Sequence, residues 1–89
     1  MGGFVVDARV QIRHPGINDD DVLTARRNAF NVVIRDTSEK DFHVAVGADM
    51  KGRLLELVAA EDADGTMRIF HANTPPSERT LKELGIIKQ

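Results

Sequence analysis

Apolar and polar residues alternate in short runs along this chain, and the clearest runs lie between residues 42 and 72. Residues 42–48, 53–60 and 66–72 each read as a strand, with Lys51-Gly52 and Asp62-Ala63-Asp64-Gly65 between them. Glycine in those positions allows the positive φ that tight hairpin turns need. Upstream, Phe30, Val32 and Ile34 alternate with Asn31, Val33 and Arg35, a half-buried strand that stops in the polar segment 36–41. The pattern therefore predicts a four-stranded antiparallel meander.

The period changes on either side of these strands. Val22, Ala25 and Ala29, with Leu23 widening the stripe, predict an amphipathic helix over residues 18–28. Asn18 is a good N-cap, and Asp19, Asp20 and Asp21 suit the positive end of the helix dipole, as Arg26 and Arg27 suit the negative end. Successive helical residues diverge by about 100°, so the acidic triplet reads as a helix start and not a metal site. Before it, Val6, Ala8, Val10 and Ile12 alternate with Asp7, Arg9, Gln11 and Arg13, a strand pattern, although Val5, Ala8 and Ile12 also fit one helical face. Pro15-Gly16 ends that element. Thr74-Pro75-Pro76-Ser77 opens a terminal helix with Leu81 and Leu84 on its apolar face, closed by Gly85. The expected class is α+β, with helices packed on one face of the sheet.

The 89 residues allow one domain with one modest core. Hydrophobic content of 42% and charged content of 29% are ordinary for a folded domain, and no run approaches the roughly 18 apolar residues of a membrane span. The opening Met-Gly-Gly-Phe-Val-Val-Asp lacks a basic region followed by a long apolar core, so no secretory signal and a cytoplasmic address are expected. Without cysteine there is no disulfide framework, thiolate metal site or cysteine nucleophile. His14, His43 and His71 are scattered, unlike a metal-binding histidine pair, and no glycine-rich phosphate loop or serine elbow occurs. No cofactor is implied. A net charge of -2 means that any contact with RNA must rest on local clusters such as Arg9, Arg13 and His14.

Strand parity divides the candidate chemistry. If Phe30, Val32, Ile34, Phe42, Val44, Val46, Leu55, Leu57, Met67 and Ile69 face the helices, then Arg35, His43, Glu56 and Arg68 share the other face with Val33 and Phe70. Glu56 would then sit in a central strand opposite Arg68 or His43. The plain reading is a cross-strand ion pair. The chemical one is an arginine stabilising phosphorane-like charge while His43 or Glu56 moves a proton, as metal-independent RNA cleavage requires. His71 closes the last strand with core parity, and His14 sits at the end of the first element. Only four aromatic residues, all Phe, argue against a small-ligand pocket with polar handles.

The order of motifs narrows these readings. His14-Pro15-Gly16-Ile17 before an acidic helix start, Val46-Gly47 followed by Gly52-Arg53-Leu54-Leu55, and Met67-Arg68-Ile69-Phe70-His71-Ala72 at the end resemble the BrnT-like toxins of bacterial type II toxin–antitoxin systems, small relatives in fold of RelE and ParE. The resemblance runs from about Asp7 onwards. It implies a metal-independent ribonuclease that arrests translation, on or off the ribosome, and is neutralised by a cognate antitoxin protein. It also makes the first element a helix, so two helices precede the sheet and one follows it. Arg13 and His14 match the family's basic-His pair, Arg53 its hairpin arginine and Arg68 the first arginine of its last strand. His71 stands where serine is common, and Asn73 where arginine is common, which removes a possible phosphate contact. The candidate catalytic set is His14, His43, Glu56, Arg68 and His71, with Arg9, Arg13, Arg53 and Arg79 as RNA contacts. A non-catalytic interaction domain, binding a protein through the exposed sheet face or an edge strand, is the alternative.

Overall fold

Eight elements succeed one another in the computed structural model, which describes residues 3–88. They are β1 (Phe4–Val6), α1 (Ala8–Arg13), α2 (Asp19–Asn28), β2 (Val32–Arg35), β3 (Phe42–Ala48), β4 (Leu54–Glu61), β5 (Met67–Asn73) and α3 (Glu78–Glu83). The α+β class and the three helices match expectation. The sheet does not: it has five strands in the order β1-β5-β4-β3-β2, and it is mixed because β1 runs parallel to β5. β2 to β5 form the expected antiparallel meander. Backbone bonds from Asp7 N to Ile69 O and from Met67 N to Gly3 O, both 2.9 Å, fasten the extra strand.

The first helix departs from the alternating pattern for a local reason. Asp7 caps it, its Oδ1 accepting from Arg9 N at 2.9 Å, and only Val10 of α1 is buried. Ile12, which alternation would place inside, is 75% exposed. In α2 the expected cap is in place: Asn18 Oδ1 accepts from Asp21 N at 2.8 Å, while Asp21 Oδ2 accepts from Asn18 N at 3.2 Å. This reciprocal box satisfies two otherwise orphaned donors.

The helices divide between the two faces of the sheet, contrary to the expectation of a single covered face. Val10, Ile17, Val22 and Ala25 join Leu55, Leu57, Ala59, Ile69 and Ala72 in one core cluster, so α1 and α2 lie on that side. Glu56 alternates with Leu55 and Leu57, and there α3 packs. Helix α2 rests directly on the backbone of β3: a Cβ on Gly47 would lie 1.9 Å from Ala25 O. Each fully buried Leu, Ile or Val contributes about 1.5–3 kcal/mol, against about 0–1 for an exposed ion pair, so this core and not the arginine pairs dominates stability.

Two parity errors follow from this arrangement. Phe42, Val44 and Val46 lie on the face of Glu56, and His43 and Ala45 on the face of α2, the reverse of the expectation for that strand. With both faces covered, 44–47 are all buried and the strand carries no amphipathic alternation. In β5 the register slips: Val58 pairs with His71 but Ala59 with Ile69, leaving Phe70 as an extra residue. Such a bulge re-aims side chains. Ile69 and Ala72 both reach the core, while Phe70 and His71, adjacent in sequence, turn to the other side, so His71 loses its expected core parity.

Candidate active site

On the α3 side of the sheet, Glu56 is the centre of a continuous polar network. It is 7% exposed, lies mid-strand in β4, and takes four side-chain or backbone partners from β5 and α3. Its Oε1 accepts from Ser77 N at 2.9 Å and from Ser77 Oγ at 2.8 Å. Its Oε2 lies 2.9 Å from His71 Nε2. Ser77 also caps α3, and its Oγ is linked to Thr80 Oγ1 at 3.1 Å. Thr80, fully buried, accepts from Arg35 Nη2 at 3.2 Å. Arg35 in turn grips Glu83 through Nε and Nη2, the Nε–Oε2 distance being 2.9 Å. No buried polar side-chain atom among the described residues lacks a partner.

The network sets charge as well as position. Burial acts to raise the Glu56 pKa, but hydrogen bonds from the Ser77 backbone, Thr80, the Ser77 hydroxyl and His71 outweigh it and hold the carboxyl at about 2. An ionised carboxylate only accepts, so the shared proton resides on His71 Nε2. Nδ1 is then the ring nitrogen left for other chemistry, on a side chain 35% exposed. Glu83 is likewise held below the usual carboxylate range, first by its hydrogen bonds from Arg35. A fixed tautomer with one free nitrogen is the arrangement a general base needs.

Of the expected catalytic set, Glu56, His71 and Arg68 share this face, Arg68 lying opposite Ala60 next to the bulge. His43 is on the opposite face, beside Ala45 and Arg26, and His14 caps the C-terminus of α1 on that same side. The partner expected for Glu56 was Arg68 or His43; the structure supplies His71 instead. Arg68 Nε pairs with Asp62 Oδ2 at 3.0 Å.

The expected RNA contacts are dispersed. Arg9 is engaged by Asp7 at 3.0 Å, which holds Asp7 well below the ordinary carboxylate range. Arg53 ties the β3–β4 turn to α2, with Nε on Asp49 Oδ2 at 2.8 Å and Nη2 on Gly16 O at 3.0 Å and Asp21 Oδ2 at 3.3 Å. Lys51 Nζ joins Asp21 at 3.0 Å. Arg13 is exposed at the end of α1, and Arg79 is exposed 3.8 Å from Glu83. Sequence reading passed over Ser77 and Thr80 as site residues. The signal was present in Ser77 as an N-cap three residues before Thr80, but nothing local pointed across the sheet to Glu56.

Among the described residues no group of three His, Asp or Glu side chains is gathered as a metal ion would require, and no helix is long and apolar enough to cross a membrane. No protein-family model, curated protein or solved structure matches the chain.

Proposed function

We propose that this chain is a metal-independent endoribonuclease of the toxin type, arresting translation until a partner protein neutralises it, with His71 as general base and Glu56 as the residue that positions it. The observation that carries this reading is the β5 bulge, which turns His71 onto Glu56 and away from the core. His71 Nδ1 takes the proton of a ribose 2′-OH as O2′ attacks the adjacent phosphorus. The P–O5′ bond breaks, leaving a 2′,3′-cyclic phosphate and an O5′ that is protonated by water at the open face. Arg68, 44% exposed despite its pair with Asp62, has further guanidinium donors for the phosphorane oxygens. The order of motifs that resembles BrnT-like toxins supports the same assignment.

Purified full-length chain is expected to cleave single-stranded RNA in the presence of a chelator, leaving cyclic phosphate ends. His71→Gln, which keeps a donor for Glu56, should lower the rate about 10²–10⁴-fold at unchanged melting temperature. Intact RNA, or full activity in His71→Gln, overturns the assignment.

A second reading has its own observation. β2 is an edge strand with one side unpaired, and Ile34 on it and Phe30 before it are 53% and 83% exposed. These features suit addition of a partner's strand. Loss of partner binding on Ile34→Lys, with no RNA cleavage from pH 5 to 8, would favour a non-catalytic interaction domain.

A further inference from the structure

The same sheet face continues past His71 into a hollow that the network does not use. It has a volume of about 470 Å³, within the range of ligand sites. Phe42, Ala60 and Phe70 line it, and Arg9, Lys40 and Arg68 stand around them. The two phenyl rings meet edge to face, with centroids 5.1 Å apart and planes at 62°. Phe70 keeps the parity that alternation gives it, and the bulge brings the next residue, His71, to the same face. We propose that this hollow binds one nucleobase of a single-stranded RNA, stacked on the Phe42–Phe70 pair with its phosphate towards Arg68 and Arg9. The proposal rests on the ribonuclease reading and gives that site its substrate contact.

Three observations point to a base instead of another ligand. With the rings at 62°, one half-buried phenyl offers a flat face for a base and the other closes its edge, and base–aromatic stacking tolerates any base because every base has a π face. Cations stand beside it: Arg9, paired with Asp7, and Arg68, paired with Asp62, keep side chains 61% and 44% exposed, and among the described residues the exposed Lys40 makes no ion pair. The hollow is also lined by the acidic residues Glu39 and Asp62 and by Ser38. Base edges carry amino donors as well as acceptors and can use such a mixed set. An acidic peptide would bring several carboxylates against Glu39 and Asp62, whereas a nucleotide brings one phosphate, on the side of Arg68 and Arg9, and a neutral base. The segment 37–40 keeps its shape without Ser38, because Thr37 Oγ1 accepts from Glu39 N at 3.3 Å and Lys40 N at 3.0 Å.

The test is a titration of the full chain with each ribonucleoside 5′-monophosphate, with ribose 5-phosphate and with an acidic peptide, followed by NMR. Nucleotides should shift Phe42, Phe70, Ser38 and Arg68, and should bind about tenfold or more tightly than ribose 5-phosphate. Phe42→Leu should weaken them about tenfold, Lys40→Gln at an exposed position should weaken them a few-fold, and Phe30→Leu should leave them unchanged. Equal binding of ribose 5-phosphate, preference for the peptide, shifts elsewhere, or no effect of both Phe42→Leu and Lys40→Gln overturns the proposal. The two readings fail separately. Phe42-dependent nucleotide binding by a chain that cleaves no RNA removes the nuclease and keeps the base site. His71-dependent cleavage whose KM ignores Phe42→Leu and Lys40→Gln removes the base site and keeps the nuclease.

Discussion

Replacing Glu56 with Gln tests the centre of the network, because it removes the charge while leaving the shape. In the folded chain this carboxyl titrates at about 2 instead of 4.5, since bonds from Ser77, Thr80 and His71 overcome the burial that would raise it. A depressed pKa stabilises the fold above the unfolded value, and that contribution is lost as pH falls through the folded value. The window is therefore from about 4.5 down to about 2. At about 1.4 kcal/mol per pH unit, the carboxylate contributes on the order of 3 kcal/mol at pH 7 and about 1 kcal/mol at pH 3. Gln resembles the protonated acid, so the gap between wild type and Glu56→Gln should follow these values. Urea denaturation of both proteins at pH 7 and pH 3 reads it, and other carboxylates cancel in the difference. A gap that does not narrow by about 1 kcal/mol or more at pH 3 would falsify the charged, hydrogen-bonded Glu56 described above.

The same substitution separates positioning from stability. A Gln amide aimed at His71 Nε2 donates, so that nitrogen becomes the acceptor and the ring proton moves to Nδ1, which loses its lone pair. RNA cleavage should then fall about 10²–10⁴-fold in the folded variant. Melting measured on the same sample distinguishes this from simple unfolding.

Gly47→Ala places a methyl on Ala25 O and should cost about 3 kcal/mol or more, appearing as insoluble or unfolded protein, while Gly3→Ala, with nothing within 4 Å, should be silent. Asp21→Asn removes the charge that holds Lys51, Arg53 and the α2 cap, from a side chain 2% exposed; denaturation should show a loss of about 2 kcal/mol. Arg35→Met breaks the forked bond to Glu83, with the two side chains 24% and 26% exposed, at about 1–2 kcal/mol, and hydrogen exchange in α3 should accelerate before that in β4.

The antiparallel strands and the Asn18 cap were legible in the sequence because turns and caps are local chemistry. β1 was not: three residues are too few for a period, and a parallel strand needs a distant partner, here residues 67–69. The faces of β3 were illegible for the opposite reason, since a strand buried on both sides has no alternation to read. Glu56 and His71 were both visible as candidates, yet their pairing depended on the extra residue Phe70, which breaks the two-residue period that any parity argument assumes. Arg53 illustrates a further limit. Its position beside a turn resembles a functional arginine, whereas in the fold Asp49, Asp21 and Gly16 use its guanidinium to fasten the turn to α2.

The bulge and the shortness of α3 act together. A helix of six residues covers only part of the sheet face, the part around Glu56, and leaves the stretch from Phe42 to Arg68 uncovered. An unbulged β5 would keep a strict two-residue period, and Phe70 and His71 would then point to opposite faces. One extra residue instead places both on one face, with His71 against the carboxylate under α3 and Phe70 against the open hollow. Because Ser77 both caps α3 and bonds Glu56, the docking of that helix and the orientation of His71 are a single event. A substitution that loosens α3 without touching the dyad, such as Arg35→Met, should therefore also slow any reaction that uses His71.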